Sequence, residues 1–225
     1  SLLSCVSQVR VLHGLLGIFP ILYLSIMTVH LSDFLYTEHN ALTPEFCSHV
    51  IKKFENDDRS VQGKVGRTES TRVDTSIKDS LDLNISHYDD WKDEDNVFFD
   101  SLSYHIGEYC NRKINGHDYS TWNNPSDSGY QIQKTLPSAG YVWHTDDQHG
   151  EYVIENGVRW ATYIWYLNDV EGPGGETEFI NQNVKVKPEK GKLILFPPFW
   201  THEHRGVKLQ KGIKYIATTW IVFKT

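Results

Sequence analysis

The segment Gly140-Tyr141-Val142-Trp143-His144-Thr145-Asp146 closes a stretch of strand-like sequence. Positions i and i+2 of a strand share a face, so His144 and Asp146 are expected to aim at one point. A neutral imidazole and a carboxylate together suit a borderline divalent metal. The triplet alone carries little weight in a chain with 11 histidines and 29 acidic residues, where a surface histidine beside a turn aspartate is the common alternative. A third donor comes from downstream, in Phe196-Pro197-Pro198-Phe199-Trp200-Thr201-His202-Glu203-His204-Arg205-Gly206. His202 and His204 compete for that role.

Two histidines and one carboxylate make a facial triad that suits non-haem iron and leaves adjacent coordination positions open for a chelating 2-oxo acid and dioxygen. The far carboxylate of such an acid must be held deep in the protein. An unpaired buried charge is expensive, so a cation is needed on a neighbouring strand. Lys214, ten residues beyond His204, is the candidate; Lys211-Gly212 supplies the turn between them.

The elements that must position these groups fall into two halves. Thr43-Pro44 reads as an N-cap followed by a first-turn proline, and Phe46, Cys47, Val50, Ile51 and Phe54 recur at helical spacing, giving a helix over about 44–55. A second helix over about 91–113 carries the stripe Phe98, Leu102, His105, Ile106 and Tyr109, with aspartates at its start where the helix dipole favours them. Residues 56–74 between them are polar and read as a surface loop. After Gly116 the period changes. β-branched and aromatic runs near 128–136, 140–145, 158–168, 177–186, 192–197, 201–204 and 213–223 are separated by turn signals such as Gly172-Pro173-Gly174-Gly175. Helices followed by many short strands argue for a mainly β fold, an antiparallel jelly-roll barrel with helices packed outside.

The 225 residues contain 22 basic and 29 acidic side chains, a formal net charge of −7, with no lysine-arginine block, so nucleic acid is not an expected partner. Cys5, Cys47 and Cys110 are odd in number and widely spaced, which supports neither a disulfide framework nor a cysteine-zinc knuckle and favours a reducing, cytoplasmic compartment. Val11–Leu31 is apolar and long enough to span a bilayer but is interrupted by His13, Pro20 and His30. Met27 is the sole methionine of a chain that begins with Ser1, so residues 1–26 read either as sequence upstream of a start or, with 27–31, as a membrane anchor. From Met27 to Thr225 the chain reads as one domain, with N-terminal helices over 27–116 and a β core over about 128–225.

From Gln131 to Trp220 the chain resembles the iron(II)/2-oxoglutarate dioxygenases, and among them the prolyl 4-hydroxylase-like group. The resemblance rests on six pieces in order. They are Tyr-x-x-His-x-Asp at Tyr141–Asp146, Arg-x-x-Thr-x-Ile-x-Tyr-Leu-Asn at Arg159–Asn168, Gly-Gly-x-Thr-x-Phe at Gly174–Phe179, Gly-x-x-x-x-Phe-Pro at Gly191–Pro197, the distal His204, and Lys-Tyr-x-x-Thr-x-Trp at Lys214–Trp220. It implies a double-stranded β-helix, iron(II) held by His144, Asp146 and His204, and Lys214 paired with 2-oxoglutarate, with the Tyr166 hydroxyl as a second donor. Strand parity puts Thr162, Ile164 and Tyr166 on one face and Lys214, Thr218 and Trp220 on another. The resemblance turns both faces inward, which makes Thr162, Thr218 and Trp220 cosubstrate-pocket candidates. It also implies O₂ as a second cosubstrate, admits ascorbate as an accessory, and points to hydroxylation of a peptidyl or small-molecule substrate. Retention of Asp146 favours hydroxylation over halogenation. One contact departs from the pattern: many relatives carry a tyrosine near Gln131–Pro137, and this chain offers only Gln133 or Thr135 there. Arg205 reads as a loop anchor or a substrate contact, and 56–74 with 147–157 as lid segments. The competing reading is a jelly-roll binding module without catalysis; a buried Lys214 is what that reading explains badly.

Overall fold

The computed structural model describes residues 34–66, 71–113, 125–147 and 157–223. The apolar stretch Val11–Leu31 and most of the expected 147–157 lid lie outside them. Among the described residues no helix is long and apolar enough to cross a membrane.

Thr43 caps α1 (Pro44–Glu55) by accepting from the Phe46 N–H at 3.2 Å, and the helix buries Cys47, Val50 and Phe54. α2 (Lys92–Lys113) opens on Asp93, Glu94 and Asp95, ends on Arg112 and Lys113, and buries Phe98, Leu102, His105 and Tyr109. In chain order the strands are β1 (Tyr36–Glu38), β2 (Val61–Gln62), β3 (Lys64–Val65), β4 (Arg72–Val73), β5 (Leu81–Asn84), β6 (Pro125–Asp127) and β7 (Gln131–Thr135). They continue with β8 (Tyr141–His144), β9 (Val158–Tyr166), β10 (Thr177–Phe179), β11 (Val184–Val186), β12 (Leu193–Phe196), β13 (His204–Gly206) and β14 (Lys214–Phe223).

The larger sheet runs β1-β12-β9-β14-β7-β5-β2 with β6 added to β14, and the smaller runs β11-β10-β13-β8. The described pairings are antiparallel, as the turn pattern implied. The two sheets face each other across a layer built from Ile164, Tyr166, Phe179, Val186, Ile194 and Phe196. They are not closed into the barrel expected from sequence: among the described strands, no ladder joins the smaller sheet to the larger.

Both helices pack on the outer face of the larger sheet. There Phe98 stacks on Tyr130 and meets Trp165, with ring centroids 5.5 and 5.4 Å apart, and Tyr163, Leu193, Leu195 and Ala217 complete the core. Each large side chain buried here contributes about 1.5–3 kcal/mol. This outer core fixes strand parity, because a one-residue slip would turn the whole apolar set to the other face. With Ala161, Tyr163 and Trp165 of β9 facing the helices, Thr162, Ile164 and Tyr166 must face inward. The register Ile216↔Tyr166, Thr218↔Ile164, Trp220↔Thr162 carries the same face onto β14.

Several elements differ from expectation. Residues 56–74 are not simply a loop: β2 extends the larger sheet by pairing with β5, and β3 pairs with β4. The 177–186 run is two strands joined by a turn. The expected 201–204 strand is a 3₁₀ turn at Trp200–His202 followed by β13, because a chain leaving Pro197-Pro198 lacks donors for a regular ladder.

Candidate metal centre and cosubstrate pocket

His144 ends β8, His204 opens β13, and the two are register partners across the smaller sheet. Asp146 lies two residues past the end of β8, so its aim does not come from strand alternation as expected. Its backbone N–H donates to the Pro198 carbonyl at 3.0 Å, and the Arg159 guanidinium donates to its carbonyl at 3.0 Å. The Thr162 hydroxyl donates to Asp146 Oδ2 at 2.9 Å and fixes the carboxylate.

The donor atoms converge. His144 Nε2 lies 3.6 Å from Asp146 Oδ1 and His204 Nε2 lies 3.7 Å from Oδ2, and one ligand atom from each residue falls within 4.8 Å of the others. His144 Nδ1 faces the Val142 carbonyl at 2.8 Å and His204 Nδ1 faces the His202 carbonyl at 3.0 Å. A ring nitrogen against a carbonyl must carry the proton, so each Nε2 keeps its lone pair for the centre. Burial, reinforced by neighbouring His204, pushes the His144 imidazolium down to about 3. Burial pulls the Asp146 carboxyl upward, but His204, His144, Arg159 and the Thr162 hydrogen bond together hold it below the usual carboxylate range. Neutral imidazoles and an ionised carboxylate are the protonation states a divalent cation requires. The residues therefore fit a resident iron(II).

His202 is also buried, but it sits in the 3₁₀ turn against Phe179 and Phe196, and its Nδ1 is 3.0 Å from the Thr201 hydroxyl. His204 packs edge-on against the same Phe196 ring, at 4.8 Å, and reaches the centre.

Beside the triad lies an inner pocket of about 80 Å³ whose walls include Thr135, Ile164, Thr177, Lys214, Ile216 and Trp220. Lys214 is 5% exposed and donates to the Gly175 carbonyl at 3.1 Å. Burial pushes its ammonium down to about 8. The turn that delivers Gly175 requires glycine at position 174, where φ is +90° and an added Cβ would stand 2.1 Å from the Lys208 carbonyl oxygen.

Three expected pocket residues make hydrogen bonds within the protein. The buried Tyr166 hydroxyl donates to Thr177 Oγ1 at 2.6 Å, and Thr177 is the residue that faces the pocket. Thr162 spends its hydroxyl on Asp146 and is a positioning residue for the triad. Thr218 lines the pocket, but its hydroxyl donates to the Tyr163 carbonyl at 2.7 Å. In each case a buried hydroxyl is satisfied by the nearest protein acceptor. Trp220 lines the pocket and carries the Arg159 guanidinium 3.6 Å above its ring. Gln133 and Thr135 both border the pocket. Arg205 donates to Glu178 at 2.6 Å across the β10–β13 pair, an anchor.

A wider cleft of about 870 Å³ opens over the same His144, Asp146 and Trp220, with Arg59, Val61 and Lys64 from the 56–74 segment on its wall.

Comparison with known proteins places a family resemblance on this region. Residues 130–222, which contain the triad, Lys214 and Trp220, match the family described as the 2OG-Fe(II) oxygenase superfamily. This domain is therefore similar to the 2OG-Fe(II) oxygenases over residues 130–222. The domain is similar to a protein of Acanthamoeba polyphaga mimivirus named "Putative prolyl 4-hydroxylase", 32% identical over 104 residues that cover 40% of this chain and 43% of the relative. The chain spans less than half the length of the curated relatives it matches. Its fold is that of the viral collagen prolyl hydroxylase of Paramecium bursaria Chlorella virus-1, solved as a 2OG complex, with 22% identity, TM-score 0.58, and 85% of this chain and 97% of that one covered. It is also that of a Trichoplax adhaerens prolyl hydroxylase solved with a hypoxia inducible factor oxygen degradation domain peptide fragment, with 18% identity, TM-score 0.66, and 85% and 84% covered. The two facing sheets of the oxygenase domain are thus a double-stranded β-helix.

Sequence reasoning missed Lys78, Ser80 and Asp82, which stand beside the site. Lys78 and Ser80 lie in the irregular stretch before β5 and Asp82 within that four-residue strand, and the visible sign was the Lys-x-Ser-x-Asp spacing.

Proposed function

We propose that this protein is an iron(II)- and 2-oxoglutarate-dependent hydroxylase acting on a peptidyl substrate, with a prolyl side chain as the leading target. The observation that carries this reading is the convergence of two imidazoles and one carboxylate beside a pocket that ends in a buried lysine. A binding module that never takes up a dianion would gain nothing from burying Lys214, since that costs desolvation.

With iron(II) bound by His144, Asp146 and His204, the centre supplies dioxygen activation coupled to oxidative decarboxylation of 2-oxoglutarate to succinate. The chain's own residues do the rest. Thr162 and the Pro198 carbonyl hold Asp146 in place. Lys214 binds the far carboxylate of the oxo acid, with Thr177 close by. Ile164, Ile216 and Trp220 keep water from the inner pocket, which strengthens every electrostatic contact inside it. The cleft above His144 and Trp220 receives the group to be hydroxylated. Peptide length and sequence preference are set by the walls of that cleft.

The test is succinate formation from 2-oxoglutarate by the Fe(II)-loaded protein, with and without proline-containing peptides. The expected result is iron-dependent turnover that such peptides stimulate, with hydroxyproline appearing in the peptide. Turnover stimulated only by non-peptide compounds would remove the peptidyl assignment.

A further inference from the structure

Two lysines line the inner pocket, Lys214 at the Gly175 side and Lys78 at the triad side. Lys78 is 7% exposed and donates to Asp82 Oδ2 at 2.6 Å, while the Ser80 hydroxyl donates to Asp82 Oδ1 at 2.7 Å. Gly63 closes over this group: a Cβ there would meet Ser80 Oγ at 2.5 Å and Asp82 Oδ2 at 3.0 Å. Asp82 projects from β5 opposite Gln133 of β7, which in turn lies opposite Ile216 of β14. The pair is therefore on the same inward face that carries Lys214.

Its orientation is the informative part. Both Lys78 and Asp82 border the wide cleft, but of the two only Lys78 borders the inner pocket. Lys78 thus joins the two spaces, with its counter-ion on the cleft wall. Lys78 also forms a backbone bridge with Tyr141, whose ring stacks on His144 with centroids 3.6 Å apart, and its Nζ lies 6.0 Å from the Tyr141 ring centroid. Its charge is among those that disfavour the imidazolium at His144. An ammonium has three donors, and Asp82 takes one. A buried ion pair is an expensive way to stabilise an edge strand, because apolar side chains of the same volume do as well or better. What it provides is a cation fixed in place.

Resting on the oxygenase reading, we propose that Lys78 binds the metal-side carboxylate of the 2-oxo acid, so that the cosubstrate is held by a lysine at each end.

The experiment reads oxo-acid binding, not turnover, through the visible charge-transfer absorption of Fe(II)-loaded full-length protein without oxygen. It compares 2-oxoglutarate with 2-oxobutanoate, which lacks the far carboxylate. Lys78→Met is expected to weaken both acids by about tenfold, the loss of one charge-assisted hydrogen bond. Lys214→Met should weaken 2-oxoglutarate and leave 2-oxobutanoate unchanged. Asp82→Asn, which keeps the cation and removes its counter-ion, should bind both acids at least as tightly as wild type. Should Lys78→Met fail to fold, the Lys78→Met/Asp82→Asn double variant, with no charge left unpaired, carries the same expectation as the single one. Equal losses in Lys78→Met and Asp82→Asn would show a purely structural pair, and unchanged affinity in Lys78→Met would overturn the proposal while leaving the oxygenase reading intact. Absence of the absorption in metal-loaded wild type would overturn both.

Discussion

Asp146→Ala and His204→Ala should each abolish iron-dependent succinate formation, while His202→Ala should retain most of it. Loss of an outer partner of a metal ligand already costs roughly 10–100-fold; removing a ligand itself should exceed that. The two histidines make the sharper comparison. Both are buried and two residues apart, yet His204 Nε2 points at Asp146 from 3.7 Å while His202 lies against Phe179 and Phe196. The reverse pattern for the two histidines would overturn the ligand choice. Steady-state succinate assays on the four proteins, each with its bound iron quantified, make the check.

The second large effect is expected at Lys214. Replacing one member of a buried, hydrogen-bonded charge pair costs about 2–5 kcal/mol, roughly 30-fold or more in affinity. Lys214→Met should therefore raise the 2-oxoglutarate requirement by at least that factor, with a smaller change in maximal rate. A pH dependence accompanies it. Burial holds the Lys214 ammonium down to about 8 in the ligand-free protein, so above that pH the amine is largely neutral. A bound carboxylate favours the charged form, so binding above pH 8 must take up a proton, and affinity should fall by about tenfold per pH unit there. Below pH 8 affinity should level off. Calorimetry in buffers of different ionisation heat reads the proton uptake directly. Lys214→Met should lose this dependence, and a flat wild-type profile across pH 8 would place the carboxylate anchor elsewhere.

Much of the molecule could be read before its structure. The 44–55 helix was legible because a cap, a first-turn proline and an apolar period agree in one short window. His204 was favoured over His202 because its spacing to Lys214 matches the family the chain resembles, and both ends of that spacing border the inner pocket. Other features depend on contacts that no local pattern records. Asp146 owes its aim to Pro198, 52 residues away in the sequence, and to Thr162 on another strand, not to its parity with His144. Tyr166 looked like a ligand contact because its face was read correctly; which acceptor takes its hydroxyl depends on β10, which crosses from the other sheet. The Lys78–Asp82 pair was invisible because the sheet order β7-β5-β2 brings it to the pocket through strands of two to five residues. Such strands are too short to show a period.

The most direct test adds Fe(II) and then 2-oxoglutarate to the protein without oxygen and watches the visible region. The structure predicts a charge-transfer band that appears only with both additions and is absent in His204→Ala. A folded, iron-loaded wild-type protein that never shows the band, or a His204→Ala variant that shows it undiminished, would contradict the assignment of this centre.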